Sequence, residues 1–241
     1  MKIAGKTDVG FKRSDNQDRY VAGALHNGVS FGFVCDGMGG ARGGSVASEY
    51  LCKTLEEYIY IQNDNSSMNC EQTVIDAIDI ACSDIYKKAV SDERLKGMGT
   101  TIAGVIVKDD MCTAFNVGDS RVYIYRSGVL SQITEDHSVV RQLYKRGAIT
   151  AEEMATHPQK NLITRAVGVR NDVDVDITEV RLRKGDRILC ASDGLTNYVS
   201  KSDLEYIMSA DDLFEVPGDL IRKALMNMAG DNITAVVMEY I

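Results

Sequence analysis

The sequence is poor in the residues from which zinc sites and disulfide-stabilised folds are built. Among 241 residues there are only three histidines and two prolines, and there is no tryptophan. No histidine stands at metal-ligand spacing from another histidine or from a cysteine, so a zinc site is not expected. The six cysteines form no CxxC pair, and several fall in apolar helix or strand patterns. This usage is typical of buried thiols in a reducing cytoplasm.

Long apolar runs and an excess of positive charge are also missing. No run approaches the ~20 residues of a membrane-spanning helix, and the amino terminus has no hydrophobic segment of signal-peptide length. The formal net charge is −8, which argues against a general nucleic-acid binder and against binding to anionic membranes. We therefore expect a cytoplasmic, monomeric globular protein that contacts neither nucleic acid nor membrane.

The hydrophobic pattern predicts an α+β protein with antiparallel sheets. Strand patterns occur at residues 2–6 and 29–35. Four more lie between residues 98 and 133, separated by short turns, and predict an antiparallel meander. Helical spacing is found at residues 46–59 and 74–89, with a polar loop at residues 63–69 between them. Near the carboxyl end, alternation at residues 173–182 precedes an apolar strand at 187–191, two helices at 201–209 and 217–228, and a last strand at 233–240.

Residues 136–160 return to a helical pattern and interrupt the strands. Thr150 and Glu153 have the spacing of a capping box and predict the start of a short helix, which His157-Pro158 ends. We interpret the segment of about 136–168, called the insert below, as a small helical flap on the rim of a single domain that spans residues 1–241. Its cations Arg141, Lys145, Arg146 and Arg165 could form a basic rim that steers phosphopeptides, and a solvated charged face is an equally good interpretation.

The stretch FVCDGMGGARGG (residues 33–44) follows an apolar run that ends at Asp36 and then places five glycines within eight residues. Glycine-rich turns often bind phosphate through backbone N–H groups. This stretch lacks the Lys-Ser/Thr ending of a P-loop, and its aspartate would repel a bare phosphate. Either the glycines form a tight structural turn, or Asp36 holds a cation.

Three further aspartates stand at strand–turn junctions beside glycine: Asp119, Asp193 and Asp231. A strand end brings a carboxylate to the rim of a sheet, and the glycine allows close approach. Carboxylates gathered at one place would raise one another's pKa unless cations join them, and an all-oxygen site selects Mg²⁺ or Mn²⁺. Each Asp-Gly pair taken alone is more often an ordinary turn, and spacing by itself does not prove that the four converge.

The order of short motifs resembles the metal-dependent serine/threonine protein phosphatases of type 2C, in their compact bacterial form. The motifs run from residue 7 to residue 234 and are TDVGFKRSDNQD (7–18), DGMGG (36–40), GTT (99–101), GDSR (118–121), DHS (136–138), SDGL (192–195) and GDNIT (230–234). Each motif is weak alone, and the ordered set is specific. The resemblance implies a sandwich of two antiparallel β-sheets flanked by helices, in α-β-β-α layers, with a metal centre at one end.

The resemblance also implies the metal ligands. Asp36 would bridge two tightly bound Mn²⁺ or Mg²⁺ ions, and the carbonyl of Gly37, uncrowded by a side chain, would bind one of them. Asp193 and Asp231 would hold the first ion together with Asp36. Asp119 would share a third, weaker ion with Asp193.

Two more residues receive roles from the resemblance. Asp18 would act through metal-bound water, and Arg13 would hold the substrate phosphate with its planar guanidinium. Taken alone, Asp18 could merely cap a turn and Arg13 could be a solvated surface residue. Some relatives have glutamate where this chain has Gln17 and histidine where it has Met38. The second ion would therefore have one charged ligand fewer, and Met38 cannot protonate a leaving group.

The activity implied is hydrolysis of phosphoserine and phosphothreonine in proteins by a metal-bridged hydroxide, without a covalent intermediate, opposite a bacterial serine/threonine kinase. A cysteine phosphatase is not expected, because neither Cys35 nor Cys190 begins a C-x5-R arrangement. Two alternatives stay open: a catalytically inactive module that binds phosphoproteins, and a metal-dependent hydrolase of small phosphate esters. The physiological substrates and the choice between Mn²⁺ and Mg²⁺ are not written in the sequence.

Overall fold

The computed structural model describes residues 1–63 and 68–241, and these ranges contain eleven strands and seven α-helices. The strands are β1 (Lys2–Asp8), β2 (Asp18–Ala24), β3 (Ser30–Met38), β4 (Gly99–Thr100), β5 (Ile102–Lys108), β6 (Met111–Val117), β7 (Arg121–Arg126), β8 (Val129–Gln132), β9 (Asp176–Arg181), β10 (Arg187–Ala191) and β11 (Ile233–Glu239). The helices are α1 (Gly40–Asn63), α2 (Cys70–Ser91), α3 (Val139–Lys145), α4 (Ala151–Thr156), α5 (Asp193–Thr196), α6 (Lys201–Met208) and α7 (Val216–Met226).

The strands form two antiparallel sheets. The first sheet has the order β1-β11-β10-β7-β8, and the second has the order β2-β3-β5-β6-β9, with β4 paired to the end of β3. Three apolar layers hold the molecule together. One lies between the second sheet and helices α1 and α2, one lies between the first sheet and helices α5, α6 and α7, and the third lies between the sheets. The predicted sandwich of two antiparallel sheets flanked by helices is confirmed.

The alternation of side chains along β3 shows how one strand serves two layers. Phe31 and Phe33 face α1 and α2, whereas Val34 faces the other sheet. Because both faces are covered, β3 is apolar on both sides, and the same holds for the buried strands β5, β10 and β11. At the end of β3 the same alternation turns Asp36 toward the space between the sheets.

Several local predictions are confirmed, and three are corrected or only partly described. The capping box of Thr150 and Glu153 opens α4. Strand β2 was not predicted, because it is an edge strand of small and polar residues with little apolar alternation. The predicted meander is wrong between β6 and β7, which lie in different sheets, although β5–β6 and β7–β8 are antiparallel pairs. The chain changes sheets at Gly118, whose φ is 105°. Most of the predicted loop at residues 63–69 lies outside the described residues.

Two glycines offer a test of this packing. Gly104 stands opposite Phe33 in the β3–β5 ladder, and a Cβ added there would lie 2.2 Å from Cβ of Phe33. Gly218 is in α7 with space around it. We predict that Gly104→Ala lowers the free energy of unfolding by about 1–3 kcal/mol through overpacking. Gly218→Ala should raise it by about 0.5–1 kcal/mol. Urea unfolding curves measure both, and equal shifts in the two variants would contradict the packing described.

Candidate metal centre

Asp18 and Asp36 lie side by side at the end of the space between the sheets. They are register partners in the β2–β3 pair. Because side chains alternate along a strand, Asp36 shares its face with Val34 of β3 and Asp18 shares its face with Tyr20 of β2, and this face is turned toward the other sheet. Asp18 is 1% exposed, so it is an interior residue of a strand end and not a turn cap. The interpretation of Asp18 as a mere turn cap, which the sequence alone allowed, is therefore wrong.

The opposite sheet contributes two hydroxyl groups to this end. Ser192 follows β10 and donates a hydrogen bond of 2.8 Å to Oδ2 of Asp18, and Thr234 of β11 donates one of 2.7 Å to the same oxygen. The other oxygen of Asp18, Oδ1, is buried and has no hydrogen-bond partner among the residues that the structure describes. A buried carboxylate oxygen is costly unless something satisfies it.

The three other aspartates named from the sequence come to the same end. Asp193 is the first residue of α5 and accepts a hydrogen bond of 3.0 Å from Asn197. Its Oδ1 is buried, with no partner within residues 1–63 and 68–241. Asp119 lies at the crossing between the sheets and shares with Asp193 the wall of a cleft of about 300 Å³. Asp231 immediately precedes Asn232 and β11 and faces Arg13. The predicted convergence of the four aspartates is thus observed, with Asp18 as a fifth.

The electrostatics show how closely these carboxylates crowd one another. The pKa of Asp36 is raised well above its usual value by burial and then by the charges of the other four: Asp18, Asp193, Asp119 and Asp231. Burial, followed by neighbouring carboxylates, raises the pKa of Asp18 and that of Asp119 to about 7. Burial and the charge of Asp231 also raise the pKa of Asp193. In the protein without ions, this cluster therefore holds protons well above the usual pH range of aspartate.

Arg13 contributes a positive charge to this cluster. Its guanidinium makes a two-point contact with Asp231, with Nε 2.9 Å from Oδ1 and Nη2 2.9 Å from Oδ2. The carboxylates of Asp231, Asp36 and Asp193 all raise the pKa of Arg13. The side chain is half exposed, so Arg13 stands at the mouth of the cluster.

The donor set fits hard divalent cations. Five carboxylates converge, two carry buried oxygens without partners, and oxygen donors are those that Mn²⁺ and Mg²⁺ prefer. Within residues 1–63 and 68–241, no three His, Cys, Asp or Glu side chains already stand in ligating geometry. Instead Arg13 holds Asp231 and Asn197 holds Asp193. The residues therefore fit such an ion by charge and by donor type. Binding it would require the side chains of Asp231 and Asp193 to leave these contacts and turn toward the ion.

The glycines of residues 37–44 serve close packing. A Cβ on Gly37 would lie 2.2 Å from the carbonyl oxygen of Gly44 in α1 and 2.7 Å from that of Gln17. A Cβ on Gly44 would meet Oε1 of Gln17 at 2.2 Å. Strand β3 ends at Met38 and helix α1 already begins at Gly40, so the tight turn is limited to Gly39. The need for glycine at position 37 has a packing cause, and coordination by its carbonyl stays a prediction.

Asn232 is a positioning residue that the sequence reasoning left without a role. Its Nδ2 donates to the carbonyl oxygens of Val9 and Asp15, and its Oδ1 accepts from the N–H of Gln17. One amide side chain thus fixes the loop that carries Arg13 and leads into β2. In the sequence, the feature that points to Asn232 is its position next to Asp231 in the motif GDNIT.

His137 connects the insert to the turn that carries Asp119. Its backbone N–H donates to the carbonyl oxygen of Gly118 at 2.8 Å, and its ring nitrogen Nδ1 accepts from the backbone N–H of Gly118 at 3.2 Å. Its Nε2 lies 3.1 Å from a carboxylate oxygen of Asp176. Nδ1 of His157 accepts from the N–H of Gln159. Both histidines are thus engaged in contacts within the protein.

The cations of the insert are largely engaged within the protein. Arg141 and Lys145 both pair with Glu135, and Arg165 pairs with Asp176 at 2.7 Å. This pairing favours the solvated charged face over the basic rim. Lys160, which the sequence reasoning did not single out, lines the cleft of Asp119 and Asp193.

Comparisons with known proteins agree on one family. The model of the family Protein phosphatase 2C matches residues 12–227. The protein phosphatase PhpP of Streptococcus pneumoniae is 36% identical over 99% of this chain and 97% of its own length. The serine/threonine phosphatase of S. agalactiae has a TM-score of 0.91 at 35% identity, covering 100% of this chain and 99% of its own. The catalytic domain of the phosphatase PstP, solved with two manganese ions, has a TM-score of 0.86 at 30% identity, covering 99% and 97%.

The crowding of carboxylates predicts a pH dependence of stability in the metal-free protein. Asp18 and Asp119 have pKa values of about 7 in the folded protein and about 3.9 when unfolded. The folded state therefore binds more protons between these values, and its free energy of unfolding should fall as the pH rises from about 4 through 7. Asp18→Asn should flatten this fall, and Mn²⁺ should stabilise the protein more at pH 8 than at pH 5.

Unfolding by urea in chelator, at a series of pH values, measures the slope. Asp211→Asn, at an exposed position between α6 and α7, is the control and should leave the slope unchanged. An unaltered slope in Asp18→Asn would show that this carboxylate is not a member of the repelling cluster.

Proposed function

Because the chain belongs to the protein phosphatase 2C family and is a protein serine/threonine phosphatase, we propose that it hydrolyses phosphoserine and phosphothreonine at the carboxylate cluster with the help of Mn²⁺ or Mg²⁺. The convergence of Asp36 with four other carboxylates carries the proposal. Asp36, Asp193 and Asp231, with the carbonyl of Gly37, would hold two ions. Asp119 and Asp193 would hold a third, weaker ion, and Asp18 would contribute from behind through water.

Bound ions would neutralise the carboxylates, attract the phosphate oxygens and lower the pKa of a water molecule so that hydroxide attacks phosphorus in line. The chain's own residues supply position and charge. Asn232 fixes the loop of Arg13, and the Arg13 guanidinium, now on Asp231, has the planar geometry that suits a phosphate. Ser192 and Thr234 hold Asp18 in place.

Protonation of the leaving oxygen is the step for which the chain offers fewest groups. Met38 has no proton to donate, and His137 uses both ring nitrogens in contacts with Gly118 and Asp176. Asp119 lines the open cleft, where its carboxylate could hold a water beside the leaving oxygen. We therefore assign Asp119 to this step.

The proposal extends to the enzyme's domain organisation, partners and location. We propose one catalytic domain spanning residues 1–241, with the insert as its flap, acting as a monomer on phosphoproteins and opposing a serine/threonine kinase. None of the helices within the described ranges could cross a membrane. All six cysteines are free thiols and five of them are buried, which supports a reducing cytoplasm as its location.

Replacing Asp36 tests the proposal most directly. Asp36→Asn keeps the shape but removes the central negative charge. We predict loss of nearly all activity on a phosphothreonine peptide in saturating Mn²⁺, together with a higher melting temperature in chelator, because one repelling charge is gone. Mn²⁺ should then stabilise the variant far less than wild type.

The assay compares a phosphothreonine peptide with p-nitrophenyl phosphate, with and without chelator. Activity of Asp36→Asn within several-fold of wild type would refute its role. No turnover of either substrate by wild type would favour the inactive binding module. Turnover confined to p-nitrophenyl phosphate would favour a hydrolase of small esters.

Asp119 separates ion binding from leaving-group chemistry. We predict that Asp119→Ala keeps the Mn²⁺-induced rise in melting temperature, since the other aspartates retain the tightly held pair. It should lose most activity on the peptide and less on p-nitrophenyl phosphate, whose leaving group needs no proton. Melting curves run beside both assays decide this. Loss of the metal-induced stabilisation would place Asp119 in the main pair, and unchanged peptide turnover would make it a turn residue only.

A further inference from the structure

A second cleft, of about 350 Å³, opens beside Met38. Its lining includes Met38, Ile163, Ala166, Val169, Arg170 and Val173. We call it the Met38 cleft. It is formed by the end of β3 on one side and by the chain segment at residues 163–174, which leads out of the insert, on the other.

The floor of the Met38 cleft is apolar and depends on a glycine. Met38 pairs with Gly99 of β4. A Cβ added at Gly99 would lie 2.7 Å from Cγ2 of Val169 and 3.7 Å from Cε of Met38. The two side chains therefore lie against the same bare backbone, where any side chain at position 99 would occupy their space. Val169 is nevertheless 41% exposed, so its outer side remains open to a ligand.

The wall that presents Val169 is firmly anchored. Val167 exchanges hydrogen bonds of 2.9 and 3.0 Å with Thr100. Gly168 donates its N–H to Sγ of Cys82, and the same thiol donates to the carbonyl of Arg170. Gly168 has a φ of 87°, and a Cβ there would lie 2.1 Å from Ile85. The exposed valine thus stands on a backbone held from both sides by β4 and α2, and a preformed surface costs little ordering on binding.

The charges at the mouth do not suit an acidic ligand. Arg170, Asp172 and Asp174 line the cleft and make no ion pair within the described part of the chain. Arg165 also lines it but is already paired with Asp176. The unpaired charges therefore sum to one negative charge. The apolar part of the lining is the cluster of Met38, Ile163, Ala166, Val169 and Val173.

The position of the Met38 cleft relative to the phosphate site sets the length of what it could bind. Met38 follows Asp36 by two residues on the same face of β3, a separation of about 7 Å along a strand. This is the span of about two residues of extended peptide. A residue that flanks the phosphorylated residue can therefore reach the cleft while the phosphate lies beside Asp36.

We propose that the Met38 cleft is a specificity subsite that receives an apolar side chain within two residues of the phosphothreonine in the protein substrate. This proposal rests on the proposed phosphatase function and extends it to the substrate sequence. An apolar side chain would pack against Met38, Val169 and Val173, exchanging water for a preformed apolar surface.

The test uses phosphothreonine peptides that are identical except at one position. Leu, Gly or Asp is placed in turn at each of the two positions before and after the phosphothreonine, and kcat/KM is measured in Mn²⁺. At one position at least, Leu should exceed Gly by about tenfold, as expected for a hydrophobic pocket, and Asp should not exceed Gly. In Val169→Ser the ratio of Leu to Gly should fall close to one, mainly through KM.

Ratios within one variant cancel any general change in activity. Val129→Ser is the matched control, because Val129 is 54% exposed on β8, outside the Met38 cleft, and it should keep the tenfold ratio. Turnover without a preference for Leu, or a preference that survives in Val169→Ser, would overturn the subsite alone. A preference for Asp that is lost in Arg170→Ala would overturn the apolar subsite and show that the cleft receives an acidic side chain instead. No turnover of any phosphopeptide would overturn the phosphatase function as well.

Discussion

The hydrogen bonds that Oδ2 of Asp18 accepts from Ser192 and Thr234 join the two sheets where their apolar layer ends. Asp18 belongs to one sheet and the two hydroxyl groups to the other, so this carboxylate connects the sheets at this end. Asp36 is its register partner, and the other three carboxylates follow from strands and turns that converge on the same place.

That arrangement is held against electrostatic repulsion. Burial and mutual charge raise the pKa values of Asp18, Asp36, Asp119 and Asp193, which means that the folded chain stores unfavourable energy in the ionised cluster. Buried apolar layers on both sides of each sheet supply the stability that offsets it. A site strained in this way binds divalent cations for the same reason that it is costly without them.

The sequence predicted the features that depend on neighbouring residues and failed on those that depend on distant ones. Asp36 and Asp193 could be recognised because each ends an apolar strand beside glycine, and the helix caps at Thr150 and Glu153 are local by nature. Strand β2 was not predicted, because its polar and small residues are ordered as a strand by their pairing with β3. The part played by Asn232 depends on contacts more than 200 residues away, and no local pattern encodes them.

The contact between Arg13 and Asp231 spans 218 positions in the sequence, and β1 pairs along its whole length with β11. The centre therefore draws on residues spread along the chain from Arg13 to Asp231. A growing polypeptide on the ribosome cannot complete it until β11 has emerged, however much of the second sheet has already formed. Contacts of such long range also slow folding. A nascent chain that ends before Asp231 lacks this carboxylate and strand β11, so the full centre arises only in the finished fold.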